Sequence, residues 1–270
     1  MNKTLIIAEI GWNHMGNMKL AKKMIIQAKK SGADIAKFQY WSPRNLKPGA
    51  WDNDGRRQIY EKAQLNEDKI KLLRNICKKN KINFLISVFN REDAQFIYNL
   101  GIRNIKIPSH ECGNLKLIEF SAKKFKKVYF STGASKKGEI NKAINLFKKF
   151  KTNCVIMHCV SSYPCEVNKI NLSRILWLKN FNHGNLGISD HTNNLIIPAL
   201  SVMLGVSVVE KHFTIDNNLP GRDNKFAILP NQFLEMVKNI RDAEKSLINY
   251  GNFYQKGEID IINNYRGRWG

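Results

Sequence analysis

Two histidines, three lysines and a set of acids and hydroxyls stand at or just beyond the ends of short apolar runs, where side chains of these types could act together. His191 lies in Gly187-Ile188-Ser189-Asp190-His191-Thr192, and His212 in Val208-Val209-Glu210-Lys211-His212-Phe213. Two neutral imidazoles on neighbouring strand ends suit a divalent first-row metal and leave coordination positions for substrate and water. The plainer reading is a pair of hydrogen-bonded structural histidines. Lys37 and Lys106 sit within apolar runs, and Lys211 precedes His212. A buried lysine is costly unless it meets an anion or loses its proton. With the hydroxyls of Ser109, Ser131, Thr132 and Ser189, Lys37 and Lys106 would cradle a phosphate or carboxylate. Internal pairing with Glu9, Glu111 or Glu210 is the competing reading, and the two are compatible. Glu9 and Glu111 are candidates for proton transfer, because burial raises a glutamate pKa toward neutrality.

The elements that must position these residues follow from the apolar pattern. Eight short runs recur: Leu5–Ala8, Ile35–Phe38, Phe84–Val88, Ile105–Ile107, Val128–Phe130, Val155–Met157, Leu186–Ile188 and Val208–Val209. Each ends in polar residues, among them Glu9, Gln39, Asn90, Ser131–Gly133, His158 and Glu210–His212. Amphipathic stretches alternate with the runs: Leu20–Lys30, Asp68–Asn80, Ala94–Leu100, Leu115–Lys123, Ile140–Phe150, Leu172–Leu178, Leu195–Leu204 and Gln232–Ile248. Their apolar residues recur at three- and four-residue steps, as helices packed on a sheet require. Gly32, Gly101 and Gly205 stand where such helices would end. The pattern predicts an α/β fold, a (βα)8 TIM barrel over residues 1–250 with a tail at 251–270. In that fold the C-terminal strand ends share one mouth, where active sites sit. The long connection Tyr40–Asn66, rich in tryptophan and arginine, reads as a binding loop or lid.

Composition narrows the function classes. The 270 residues suffice for one barrel with a large core. No run reaches membrane-spanning length, and Met1–Ala8 is too short for a leader, so a cytoplasmic protein is expected. Cys77, Cys112, Cys154, Cys159 and Cys165 form no C-x-x-C pair, so neither a zinc knuckle nor a redox motif is suggested. The formal charge is +22, from 44 basic and 22 acidic residues. Nucleic-acid binding is one reading, but the lysines are dispersed along helical faces and no nucleic-acid motif is present. Solvated helix faces with some attraction for an anionic substrate are the expectation, with no nucleic-acid or membrane partner.

At these residues the chain resembles the N-acetylneuraminate (sialic acid) synthase family. The segments that carry the likeness are Ile7-Ala8-Glu9-Ile10-Gly11-Trp12-Asn13-His14-Met15-Gly16, Ala33–Gln39, Lys106-Ile107-Pro108-Ser109, Ser131-Thr132-Gly133, His158–Pro164, Ser189–Thr192, Glu210–Thr214 and Pro220-Gly221-Arg222-Asp223, in order through the barrel. The resemblance implies condensation of phosphoenolpyruvate with an open-chain N-acetylated amino sugar, such as N-acetylmannosamine or a deoxy, diacetamido relative. Phosphate and a nine-carbon keto acid would be released. It implies that His191 and His212 hold Mn²⁺, or Mg²⁺ or Co²⁺, and that Lys37, Lys106, Ser109, Ser131, Ser189 and His191 surround phosphoenolpyruvate. Glu9 and Glu111 would handle protons; Gln39, Ser161, Tyr163 and Asp223 would complete the substrate contacts. Ser161-Ser162 and His110 depart from the family pattern.

The resemblance further implies a homodimer. Family members carry a small antifreeze-like domain after the barrel, which the sequence ending at Gly270 is expected to lack. Arg266 and Arg268 of the tail, or a separate protein, would then supply its arginine. Two rival readings keep the barrel: a Schiff-base aldolase using Lys37, Lys106 or Lys211, and a non-catalytic sugar-phosphate-binding relative.

Overall fold

The computed structural model describes residues 3–181 and 185–270. Met1 and Asn2, the start of the segment read above as too short for a leader, lie outside them. The strands are β1 (Leu5–Gly11), β2 (Ile35–Gln39), β3 (Asn83–Ser87), β4 (Asn104–Ile107), β5 (Lys127–Ser131), β6 (Asn153–Cys159), β7 (Leu186–Asp190) and β8 (Val208–His212). They pair in chain order, all parallel, and β1 closes on β8, so the sheet is the expected (βα)8 barrel. The helices are α1 (Met18–Lys30), α2 (Arg56–Ala63), α3 (Glu67–Lys79), α4 (Arg91–Asn99), α5 (Leu115–Lys124), α6 (Lys137–Lys149), α7 (Arg174–Lys179), α8 (Ile197–Met203), α9 (Pro230–Ser246) and α10 (Ile259–Asn264).

Helix starts are set by caps that lie ahead of the apolar stripes. The side chains of Asn17, Asn66, Asn90 and Asn114 each accept a bond from a first-turn amide of α1, α3, α4 and α5, satisfying donors that a helix leaves orphaned. Gly32, Gly101 and Gly205 follow helices with positive φ, as expected. The connection 40–66 differs from a plain loop. It contains two short 3-10 turns and α2, which packs its own turns rather than the barrel wall.

Strand alternation divides the core in two. Ile7, Ile35, Leu85, Tyr129, Val155, Met157 and Val208 point into the barrel and fill it from below. The alternate residues, such as Ile6, Phe38, Ile86, Ile105, Phe130, Ile156, Ile188 and Val209, pack beneath the helices. The same parity corrects two expectations. His158 shares a face with Ile156, outside the barrel, where its Nε2 meets the Ile170 carbonyl at 2.7 Å. Lys211, named among the reactive strand-end residues, also points outward and donates to Asp190 at 2.6 Å and to the Thr192 carbonyl, away from the barrel centre.

The tail stays apart from the barrel wall. Its side chains are largely exposed, and Arg268 sits over the rings of Tyr265 and Trp269, 5.6 and 5.5 Å from their centroids. No helix among the described residues is long and apolar enough to cross a membrane.

Gly187 shows how full the interior is. A Cβ there would stand 2.8 Å from Met157 Cγ and 3.1 Å from the Val208 carbonyl oxygen. We expect Gly187→Ala to cost about 1–3 kcal/mol by overpacking, read as a lowered urea midpoint with an unchanged slope.

Candidate active site

Above the apolar fill, the inward positions turn from hydrocarbon to charge. Glu210, two residues after Val208 on β8, accepts both oxygens' worth of contacts from Lys106 Nζ at 2.8 and 2.9 Å. Lys37 Nζ stands 3.0 Å from its other side, and Ser189 donates its hydroxyl at 2.9 Å. Lys37 in turn reaches Glu9 at 3.2 Å, and Gln39 donates to Glu9 at 2.6 Å. All four charged side chains are buried. Burial opposes ionisation of Glu210, but Lys106 and Lys37 outweigh it and hold its carboxyl far below the usual range. Glu9 goes the other way: burial pushes it up to about 7, with Lys37 only partly offsetting this. Burial also lowers Lys106, whereas Lys37 is raised because its two carboxylate partners outweigh desolvation. Two lysines thus face one firmly ionised carboxylate and one that shares its proton with solvent near pH 7. The residual positive charge at the floor of the mouth suits an anion.

The histidines lie beside this centre. Their ring centroids are 5.4 Å apart, and Tyr163 covers both, at 4.1 Å from His191 and 5.9 Å from His212. His191 Nδ1 meets the Val160 carbonyl at 2.7 Å. A carbonyl only accepts, so Nδ1 carries a proton; burial opposes the charged ring, but Cys159 and the Val160 carbonyl outweigh it and raise the His191 pKa, and Nε2 lies 3.5 Å from the Ser189 hydroxyl. His212 Nδ1 is buried without a hydrogen-bond partner, 3.8 Å from Asp223, whose carboxylate accepts from Trp12 at 2.8 Å. Burial drives the His212 pKa well down, which keeps the imidazole neutral. Two neighbouring imidazoles, with the orphaned buried nitrogen of His212, form a donor set that fits a divalent ion whose remaining ligands are water or substrate oxygens. Among the described residues no cluster of three His, Cys, Asp or Glu side chains forms a protein-only cage.

Hydroxyls line the β4–β6 side. Ser109 accepts from the Gly133 amide at 3.2 Å and donates to Cys159 Sγ at 3.1 Å. Ser131 Oγ is buried without a partner, a donor waiting for an acceptor. Gly133 is needed because a Cβ would lie 2.5 Å from Ser161 Oγ and 2.9 Å from the Cys159 carbonyl oxygen. Ser161 itself is exposed at the rim. Glu111 stands away from the lysines; it accepts from Asn114 at 2.8 Å and faces a separate cavity of about 600 Å³. That cavity lies between the 40–66 connection and the ends of β2–β4, bounded by Trp12, Trp41, Tyr60, Phe89 and Asp93. Gln39 and Trp12 belong to both the cavity and the charged centre, and join them.

Sequence reasoning brings Glu9, Lys37, Gln39, Lys106, Ser109, Ser131, Ser189, His191, His212, Tyr163 and Asp223 into one mouth. Glu111 and Ser161 lie at its margins. Glu210, which reads from the sequence as one of several pairing partners, is the hub; its even spacing from Val208 and His212 is the signal. Asp93 escapes notice because it reads as an ordinary acidic residue in the first turn of α4, whereas burial raises it to about 7.

Two outcomes test this electrostatic reading. Removing Glu210 strands two buried cations, and such losses cost about 3–5 kcal/mol. Urea unfolding of Glu210→Gln should show that loss undiminished from pH 8 to pH 5, because a depressed folded-state pKa delays protonation to strongly acid pH. Glu9 has the opposite sign. Between the ordinary carboxylate range and pH 7 the folded state binds more protons than the unfolded one, so wild-type stability should fall relative to Glu9→Gln as pH rises toward 7. A constant difference across that window would refute the buried, neutral glutamic acid.

Comparison with known proteins agrees with this geometry. Residues 24–251 match the model of the NeuB family. The chain is 37% identical over 262 residues to N,N'-diacetyllegionaminic acid synthase of Campylobacter jejuni, covering 92% of this chain and 78% of that protein. It is 32% identical to a pseudaminic acid synthase of the same species, covering 91% and 75%. The crystal structure of N-acetylneuraminic acid synthetase from Leptospira borgpetersenii superposes with a TM-score of 0.89 at 31% identity, covering 99% of this chain and 94% of that one. This chain belongs to the NeuB family and is an enzyme, a (βα)8-barrel synthase.

Proposed function

We propose that the enzyme condenses phosphoenolpyruvate with an open-chain N-acetylated amino sugar, releasing phosphate and a nine-carbon keto acid. The observation that carries this reading is the buried pair Lys37 and Lys106, which share Glu210, together with the unpartnered buried Ser131 hydroxyl and the paired histidines. Phosphoenolpyruvate carries two anionic groups, and the lysines with Ser109, Ser131 and Ser189 offer charge-assisted donors to both. The sugar aldehyde lies toward His191, His212 and Glu9. C3 of phosphoenolpyruvate bonds to the aldehyde carbon, whose oxygen takes a proton. Water adds at C2 and gives up a proton, and the C–O bond to phosphate then breaks to leave the ketone.

A divalent ion such as Mn²⁺ held by His191 and His212 would supply Lewis-acid polarisation of the aldehyde oxygen. Glu9, poised near neutrality, is suited to give a proton to that oxygen or to take one from the water. Tyr163 packs against the His191 ring, and Asp223, held by Trp12, keeps its carboxylate toward His212.

Phosphate release from phosphoenolpyruvate, followed with Mn²⁺ across a panel of N-acetylated hexosamines, is the direct test. Release should require the sugar and vanish with EDTA. His212→Ala should lower kcat by about a hundredfold or more, and Lys106→Met should weaken phosphoenolpyruvate binding by at least tenfold. Borohydride trapping of a substrate on Lys37 or Lys106, with activity indifferent to EDTA, would instead establish the Schiff-base reading.

A further inference from the structure

The cations that the sequence scatters along its helices come together at the end of the barrel opposite the mouth. Each wall helix runs antiparallel to its strand, so its last turn and the link to the next strand lie at the strand starts. Lys29 and Lys30 close α1, Lys78 and Lys79 close α3, and Lys148 and Lys149 close α6. The links add Lys81, Arg103, Lys126 and Lys151, just before β3, β4, β5 and β6. All of these side chains are exposed. A cation in a last turn offsets the helix dipole. The link cations lie beyond any helix, so that effect does not account for them.

Like charges stand closely enough here to share rings. Arg103 and Lys124 lie 4.1 and 5.9 Å from the centroid of Tyr98, and Lys123 and Lys149 lie 5.0 and 5.5 Å from that of Phe150. Acids toward this end are already engaged: Asp34 and Glu244 by Arg241, Glu119 by Lys123 and Asp242 by Lys245. Among the described residues, Lys124, Lys126, Lys149 and Lys151 have no carboxylate partner. The mouth end is the reverse, because acids open its helices: Glu67 and Asp68 on α3, Glu92 and Asp93 on α4, and Glu139 on α6. The chain's +22 is thus polarised along the barrel axis, with self-repulsion greatest at the base.

An apolar pocket opens among these cations. About 250 Å³ in volume, it lies between α6, β6 and Phe181, lined by Ile144, Phe147 and Cys154, with the exposed Lys148 and Lys151 beside it. Hydrocarbon flanked by ammonium groups matches an amphiphile with an anionic head. A nucleic acid would use open rings for base stacking, whereas Tyr98 and Phe150 already lie under the chain's own cations. A bilayer presents many phosphates in one plane, which several separate loops at a barrel base can meet together. Dispersion along the sequence argued against a membrane partner; convergence in space reverses that argument. We propose that the base of the barrel docks on a bilayer rich in anionic phospholipid, with the mouth left facing solvent.

Flotation of the full chain with vesicles tests this. Vesicles of phosphatidylcholine mixed with phosphatidylglycerol should bind at least tenfold more tightly than phosphatidylcholine alone, and high salt should release the protein. Lys124→Glu, Lys126→Glu and Lys151→Glu, combined, should weaken that binding at least tenfold. The control carries the same change of charge at exposed positions in the starting turns of α1, α5 and α6: Lys19→Glu, Lys116→Glu and Lys137→Glu. It should bind within about twofold of wild type, because a helix length of about 20 Å exceeds the Debye length. Equal binding to neutral and anionic vesicles, or equal loss in both triple variants, overturns the proposal. Release by glycerol 3-phosphate at matched phosphate concentration would reduce the face to a site for free phosphate, and release by trace duplex DNA would assign it to nucleic acid. Either result also overturns the bilayer assignment.

Discussion

Glu210 is the side chain on which the site depends. A carboxylate buried alone would take up a proton rather than remain charged, and a buried lysine would shed one. Here each keeps its partner ionised: Glu210 holds Lys37 and Lys106, and Ser189 takes part of the remaining acceptor capacity. The arrangement costs desolvation that ordinary hydrophobic packing would avoid. Its return is positional, since two long, flexible side chains are fixed at the floor of the mouth before any substrate arrives, which is the preorganisation that electrostatic catalysis requires.

The neighbouring glutamate shows how one environment yields two chemistries. Glu9 and Glu210 both lie inside the barrel and both touch Lys37. Glu210 has two lysines, and Glu9 has one lysine and a neutral amide. At Glu9 burial and the charge of Glu210 outweigh the lysines, whereas at Glu210 two lysines in direct contact outweigh burial, so their pKa values move in opposite directions and leave one as fixed charge and the other as an exchangeable proton. The β-bulge between Glu9 and Gly11 supports the split: Gly11 adopts φ +54°, and a Cβ there would stand 3.1 Å from Gln39 Nε2 and 3.2 Å from Glu9 Oε1, crowding both.

Much of this was legible in the chain because a parallel barrel ties function to simple positions. Strand ends mark the mouth, and the eight apolar runs locate them to within three residues. Parity was harder. Lys211 and His158 occupy strand ends as promising in type as Lys37 and His212, yet alternate to the outer face, where Lys211 pairs with Asp190 instead. Counting by two from Val208 distinguishes Glu210 and His212 from Lys211, but only once the strand's inward residues are known. The cavity wall was least legible. Trp41, Asn45 and Asp93 come from a connection and a helix start with no period, and meet only because α2 and two short turns fold the connection over β2–β4.

The apolar fill beneath the lysines has a consequence for traffic through the site. Ile7, Leu85, Tyr129, Met157 and their neighbours close the lower half of the barrel, so the mouth is a cul-de-sac with one entrance. Everything that reaches or leaves the lysine floor therefore shares that one passage, and the carbon skeleton and the freed anion cannot exit through the opposite end.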